Sequence, residues 1–254
     1  MIKKIDFFIT FLIKMLRVGR IKYNPQIVYP SYDGFTRIVI MMKSHSKYFD
    51  LSPYYLENEK GQIMENIWQF SKCYKEVSSS IQYYSRFNHT IIWQHPAETH
   101  IDENDNITEK YKNWREKGMN NKYAVRYPVG YKHRSKCLYS LKELSGPKLD
   151  YIEARKEIYV KEYCRLVKKE KSYQLLQEML KKGKNLLIVE VDGPHEESLD
   201  YYKENYGVNN SFIQRDTMLF NEENNRIMLN DPKHSYGHGY ALCLALLDKE
   251  EEWI

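Results

Sequence analysis

A chain of 254 residues with 42% hydrophobic and 29% charged residues has the balance of an ordinary folded protein, which excludes disordered and membrane-embedded classes and favours one domain with a sizeable core. The formal charge of +5 and pI near 8.7 fall short of the concentrated positive charge of a dedicated nucleic-acid binder. The four cysteines, Cys73, Cys137, Cys164 and Cys243, lie too far apart for a zinc ribbon or a disulfide framework, so they read as reduced thiols of an intracellular, cytoplasmic protein.

The first sixteen residues place two lysines before an apolar run, the outline of a signal peptide. Asp6 and Lys14 interrupt that run, it is too short to span a bilayer, and no small-residue cleavage site follows. Residues 1–20 are therefore expected as an N-terminal extension or short amphipathic helix, or as extra residues ahead of a start at Met15. A single domain over 21–254 follows.

Between Ile21 and Met42, residues 26–29 and 35–40 alternate in a β-like way around Ser31-Tyr32-Asp33-Gly34, which predicts a hairpin. A helix is expected over 61–77, then a break at Ser78–Ser80 and a second β-rich stretch from Ile81 to Trp93. Residues 102–106 form an acidic turn, followed by a short helix around Glu109–Lys117 closed by Gly118. Apolar residues recur at three- and four-residue steps over 150–182, predicting two helices with a break near Lys171 and a stop at Gly183. Residues 186–191 read as a buried strand ending at Asp192-Gly193-Pro194. The nearly all-apolar helix from Gly239 to Leu247 belongs in the core.

On the helix predicted over 61–77, steps of about 100° per residue bring Trp68, Gln69 and Lys72 within roughly 60° of Glu65. Ile63, Ile67, Phe70 and Tyr74 fall on the opposite side, as a core-facing stripe. A carboxylate, an amide, an amine and an indole on one face suit a cleft better than open solvent. The plainer account of the spacing is a charge pair covered by a partly buried tryptophan.

Residues 65–72, Glu-Asn-Ile-Trp-Gln-Phe-Ser-Lys, resemble the E-x-x-(Tyr/Trp)-Q-x-x-K helix of the NADAR superfamily, the YbiA-like proteins associated with NAD and ADP-ribose metabolism. Leu51-Ser52-Pro53-Tyr54-Tyr55 resembles that family's F-S-N-F-Y segment, and residues 239–247 resemble its closing G-N-x-L-G-x-x-L-M helix. Pro53 and Tyr240 stand where the family has asparagines and Cys243 where it has glycine. Asp192 comes earlier after Glu190 than the family's acidic residue, and His195 stands in that residue's place. The chain thus looks like a divergent or sister member.

The predicted elements give an α+β fold, one mixed domain with mostly helices around a small sheet, and a β-rich insertion around 85–150 lies between the matching segments. The resemblance implies hydrolysis of an N-glycosidic bond between ribose and a base, in a nucleotide-derived small molecule or in ADP-ribosylated nucleic acid. Such chemistry asks for a proton donor to the leaving nitrogen and a nucleophile at the sugar carbon. Glu65 suits the first role and Lys72, as a neutral amine, the second. Gln69 would hold sugar hydroxyls and Trp68 would stack on the base. Ser52, Tyr54, Asp192 and Gly239 join the expected substrate-binding set.

Three further constellations bear on function. Residues 122–139 interleave Lys122, Arg126, Lys132, Arg134 and Lys136 with four tyrosines, a mix that grips phosphates and stacks bases, or a plain solvated surface. Arg126 and Arg134 are the choices for a diphosphate, because guanidinium binds it bidentately. The glycine-containing turn at 231–239 enters the last helix, where backbone N–H groups can meet an anion. Finally, His95-Pro96-Ala97-Glu98-Thr99-His100-Ile101-Asp102 is dense in metal-ligand types, with Glu98, His100 and Asp102 on one side if extended. Pro96 argues against a helical arrangement and polar residues leading into an acidic loop are the simpler account, so the sequence assigns no metal and no cofactor. Two other functions stay open: a non-catalytic module that sequesters a nucleotide or ADP-ribose, and a nucleic-acid-binding or -modifying protein using residues 122–139.

Overall fold

The computed structural model describes residues 15–40 and 47–254, so the helix expected at the very N-terminus lies outside the described residues. The first elements are β1 (Leu16–Arg20), β2 (Lys22–Asn24), β3 (Gln26–Val28) and β4 (Phe35–Val39). Next come α1 (Met64–Phe70), β5 (Lys72–Cys73), β6 (Glu76–Val77), β7 (Ser80–Tyr83), β8 (Ile91–His95), β9 (Glu98–Thr99), α2 (Glu109–Met119) and β10 (Tyr139–Ser140). One continuous helix then joins α3 (Tyr151–Ala154), a π-helical turn (Arg155–Val160) and α4 (Lys161–Val167). The chain closes with α5 (Lys171–Lys181), β11 (Asn185–Glu190), α6 (Leu199–Tyr206), β12 (Thr217–Phe220), α7 (Glu222–Asn230) and α8 (His238–Leu247).

Four strands make the main sheet, in the order β12-β1-β11-β4, with β11 parallel to both β1 and β4 and β12 antiparallel to β1. Leu186 to Val189 on β11 are all 0% exposed, as expected for a parallel strand covered on both faces. Leu186 and Ile188 face the largest core with α4, α5 and α8, whereas Leu187 and Val189 meet Ile21, Tyr29, Tyr32 and Phe35. A second core gathers Phe70, Trp93, Tyr111, Trp114 and Val125 around short two-stranded pieces, β5–β10, β6–β9 and β7–β8. The fold is α+β, with helices around a small mixed sheet.

Several expectations change. Residues 16–20 are not extension but an interior strand of the main sheet, so the folded domain begins before residue 21. The two strands flanking Asp33-Gly34 do not pair with each other. β3 turns back on β2, while β4 runs beside β11, because a strand that apolar on both sides recruits a parallel neighbour. The break in the 150–182 region falls at 168–170, as its pattern suggests.

Gly118 does not end α2 but lies inside it, buried. A Cβ there would sit 2.0 Å from the Phe70 ring, so glycine is required by the close approach of α1. Alanine is the better helix former by about 1 kcal/mol, but Phe70 and Trp114 pack at 4.6 Å and leave the ring nowhere to go. Gly118→Ala is therefore expected to destabilise the protein by about 1–3 kcal/mol, measured by denaturant unfolding. A gain in stability would show that the second core yields.

Candidate functional site

α1 is short because its ends are fixed from outside. Ile63 offers no side-chain cap, and the first amides find tertiary acceptors instead: Met64 N–H donates to Leu56 O at 2.8 Å and Glu65 N–H to Pro53 O at 2.9 Å. This brings the Ser52-Pro53-Tyr54 segment against Glu65. At the other end the Ser71 hydroxyl donates back to Trp68 O at 2.9 Å, and Lys72-Cys73 pair with Tyr139-Ser140. The helix predicted over 61–77 is thus replaced by seven helical residues and two short strands, and Lys72 leaves the helix.

Lys72 nevertheless returns to the stripe. Its Nζ donates to Gln69 Oε1 at 2.9 Å, and Gln69 Nε2 donates to Glu65 Oε1 at 2.9 Å. The ammonium lies 4.4 Å from the Trp68 ring centre, a cation–π distance. Trp68 leans on Tyr159 at 5.3 Å and Tyr151 at 6.4 Å, and Tyr159 belongs to the π-helical turn, an irregularity that re-aims side chains.

Burial disturbs both ionisable ends of this relay. Glu65 is 6% exposed, and desolvation raises its pKa against the opposing pull of Gln69, Lys72, Arg126 and His238. Desolvation lowers Lys72 to about 8, against the opposing effect of Glu65. A carboxyl that resists losing its proton faces an amine that resists gaining one, so the two titrate as a coupled pair.

Other expected residues converge here. Burial raises the Tyr54 phenol, helped by the Glu65 charge and opposed by Arg126. Arg126 is held above its ordinary value: burial acts to lower it, but Tyr54, Tyr127, Asp192 and Glu65 prevail. Asp192 follows directly on β11 and acts on Tyr54, Arg126 and Tyr159. Ser52 is 2% exposed and its hydroxyl accepts from Tyr54 N–H, so it shapes the segment. Arg134 is exposed, stacked 3.7 Å over Tyr131, and donates to Tyr131 O at 2.8 Å, at the far end of a Tyr127–Tyr131 contact.

Gly239 opens the last helix beside a buried carboxylate. Its N–H donates to Glu190 Oε1 at 2.9 Å, and His238 Nδ1 lies 3.1 Å from Glu190 Oε2. The N-terminus of α8 is therefore met by the protein's own carboxylate. A Cβ at Gly237 would lie 2.3 Å from Glu190 Oε2 and one at Gly239 2.6 Å from Oε1, so both positions must lack one.

Sequence reasoning also missed Asn66, fully buried, whose amide donates to Asn121 O and Tyr123 O and accepts from Val125 N–H. That clamp fixes the loop that carries Arg126. A polar residue beside Phe70 on a predicted core face was the signal. Two surface grooves lie elsewhere, one including Tyr32, Glu196 and Arg215 and the other including Ile67, Arg115 and Lys161; neither includes Glu65 or Lys72. Comparison with protein families, characterised proteins and solved structures returns no match to the chain. No helix of the described residues is long and apolar enough to cross a membrane.

Between about 8 and 10.5 the unfolded chain holds the Lys72 proton more often than the folded chain, so stability rises with pH across that window. Below about 8 the folded protein carries the desolvated ammonium, offset in part by the Glu65 charge. Relative to Lys72→Met, the parent should gain stability as pH rises from neutral toward 10.5, read from denaturant unfolding at a series of pH values. A constant difference across the series would mean that Lys72 is not burdened by burial.

Proposed function

We propose that the site built on Glu65 and Lys72 hydrolyses the N-glycosidic bond of a ribosylated or ADP-ribosylated base. The observation that carries this reading is the relay in which one amide, Gln69, holds the Glu65 carboxyl at one end and the Lys72 amine at the other, beneath Trp68. The likeness of residues 65–72 to the NADAR helix supports it, as does the gathering of Tyr54, Arg126 and Asp192 around Glu65.

In this mechanism Glu65 gives its proton to the departing base nitrogen as the neutral amine of Lys72 bonds to the sugar C1. The new C1–N bond replaces the bond to the base. The ammonium so formed returns a proton to Glu65, which passes it to the ring oxygen as the C1–O bond opens, leaving a protonated lysine imine of the open-chain sugar and a Glu65 carboxylate that takes a proton from the adding water. Water then adds to the imine and frees the lysine and the ribosyl product. Arg126 is the cation for a diphosphate, and Trp68 is the platform for the base. No cofactor enters these steps.

The test follows released base by mass spectrometry, with ADP-ribosylated guanine DNA and a panel of ribosylated nucleotides as substrates. Release lost in both Glu65→Gln and Lys72→Ala supports the mechanism. Borohydride should trap a covalent adduct in the parent and not in Lys72→Ala. Binding of ADP-ribose without release from any substrate would leave a sequestering module in place of the enzyme. The active pair carries one proton, so activity should be bell-shaped in pH, with its alkaline limb near 8 and its acid limb above the ordinary carboxylate range.

The exposed stack of Arg134 on Tyr131, joined through Tyr127 to Arg126, favours a nucleic acid as carrier of the ribose. Arg134→Ala is expected to weaken binding to ADP-ribosylated DNA, reduce the slope of log affinity against log salt by about 1, and leave binding of free ADP-ribose unchanged. Equal effects on both ligands would remove nucleic acid from the reading.

A further inference from the structure

Residues 95–100 carry a second constellation, apart from the relay. His95 ends β8 and Glu98 begins β9, and the chain turns through Pro96-Ala97 between them, so the three side chains of His95, Glu98 and His100 converge. Glu98 Oε1 lies 2.8 Å from His95 Nε2 and 2.6 Å from His100 Nε2, and one ligand atom from each residue falls within 4.8 Å of the others. His95 is 9% exposed and His100 0%. The set differs from the Glu98, His100 and Asp102 face read from an extended chain, because the Asp102 carboxylate turns to the Asn104 and Asn106 amides.

We propose that His95, Glu98 and His100 bind one divalent transition-metal ion, zinc by the chemistry of the set. Two imidazoles and a carboxylate are a recurrent zinc donor set, leaving a fourth position for water. His95 approaches the carboxylate to 2.8 Å without hydrogen-bond geometry, and neither of its ring nitrogens has a hydrogen-bond partner. A nitrogen so placed is free to turn its lone pair to an ion shared with Glu98, and metal binding would replace the hydrogen bond between His100 and Glu98. A clamp of two imidazoles donating to one carboxylate would instead align both N–H groups with the oxygen, as only His100 does.

Aromatic rings fix the planes of both imidazoles, and because the same donor set also holds ferrous iron, the titration below separates the two metals. His95 stacks on Trp93 at 5.6 Å, and His100 packs on Trp114 at 5.0 Å and on Tyr111 at 5.6 Å. The surroundings also need a clip. β6 and β9 are two residues each, β7–β8 is a single hairpin, and two-stranded pieces of this size are marginal in water. The ion would join the end of β8 to the start of β9, while His100 N–H is already bonded to Lys75 O beside β6.

Full-length protein stripped with a chelator and dialysed should be titrated with zinc and with cobalt(II). Expected are one equivalent bound, a rise in melting temperature with zinc, and the intense visible bands of tetrahedral cobalt(II). Glu98→Gln, which keeps a hydrogen-bonding amide in place, and His100→Gln should each lose that equivalent and the bands, with folding of both checked by circular dichroism. If neither variant folds, protection of His95 and His100 from diethylpyrocarbonate by zinc in the parent, mapped by peptide mass, decides the point. No stoichiometric binding by the parent, or binding undiminished in folded variants, would overturn the proposal. Weak, pale octahedral cobalt bands with tight ferrous binding would overturn the choice of zinc.

Discussion

The placement of the last helix and of the residues that follow the central strand depends on one buried carboxylate. Glu190 is the last residue of the central strand and is 1% exposed, yet it is not stranded: Gly239 N–H donates to one of its oxygens and His238 stands beside the other. A buried carboxylate at a helix N-terminus is stabilised by the free N–H groups and by the helix dipole. The bond fixes α8, the most apolar helix, over the sheet, and it also fixes where β11 must stop. Asp192 and His195, which follow, are thereby delivered to the same end of the sheet as His238. Two glycines around α8's start complete the arrangement, since any side chain at 237 or 239 would occupy the carboxylate's space.

Because Glu190 occupies the N-terminus of α8, the positive charge beside Glu65 comes from elsewhere. Arg126 is the cation that senses Glu65, Asp192 and the Tyr54 phenol together, and its loop is pinned to α1 by the three hydrogen bonds of Asn66. The Arg126 charge near Glu65 thus comes from a side chain whose position is set by a buried amide on the same helix as Glu65. A pair like Glu65 and Lys72 works against stability, since each charged form is desolvated, and such opposition is typical where proton transfer is required.

Legibility in the sequence followed the reach of the interactions. Elements decided by their own burial pattern were readable: the apolar run of β11, the amphipathic helices of 151–181 and the apolar α8 all appear close to where their periodicity put them. Elements decided by partners far along the chain were not. The hairpin across Asp33-Gly34 failed because β4 is claimed by β11, some 150 residues away. The helix over 61–77 shrank because Leu56 and Pro53 cap one end and Tyr139-Ser140 captures the other. The stripe of Glu65, Trp68, Gln69 and Lys72 was legible as a group, since a lysine two residues past a helix can still reach an i−3 amide. Glu190 was read only as part of a strand, because nothing local marks a carboxylate whose partners lie 48 and 49 residues on.

The relay also lies where the two cores meet. Met64, at the start of α1, and Trp68 pack with the main core, whereas Phe70, at its end, belongs to the second. Glu65 is thus carried by the turn of helix anchored to the main sheet. Lys72 sits on β5, held by β10 within the second core. The hydrogen bond from Lys72 to Gln69 therefore spans a boundary between two separately packed units, and its length reports how they are docked. A loosely assembled second core would let the amine drift from the amide that aligns it with Glu65. The tight fit of Phe70 against Gly118 and the short strands gathered around Trp93 hold that distance fixed. Precision at the Glu65–Lys72 pair is thus a property of packing in the second core, on the far side of β5.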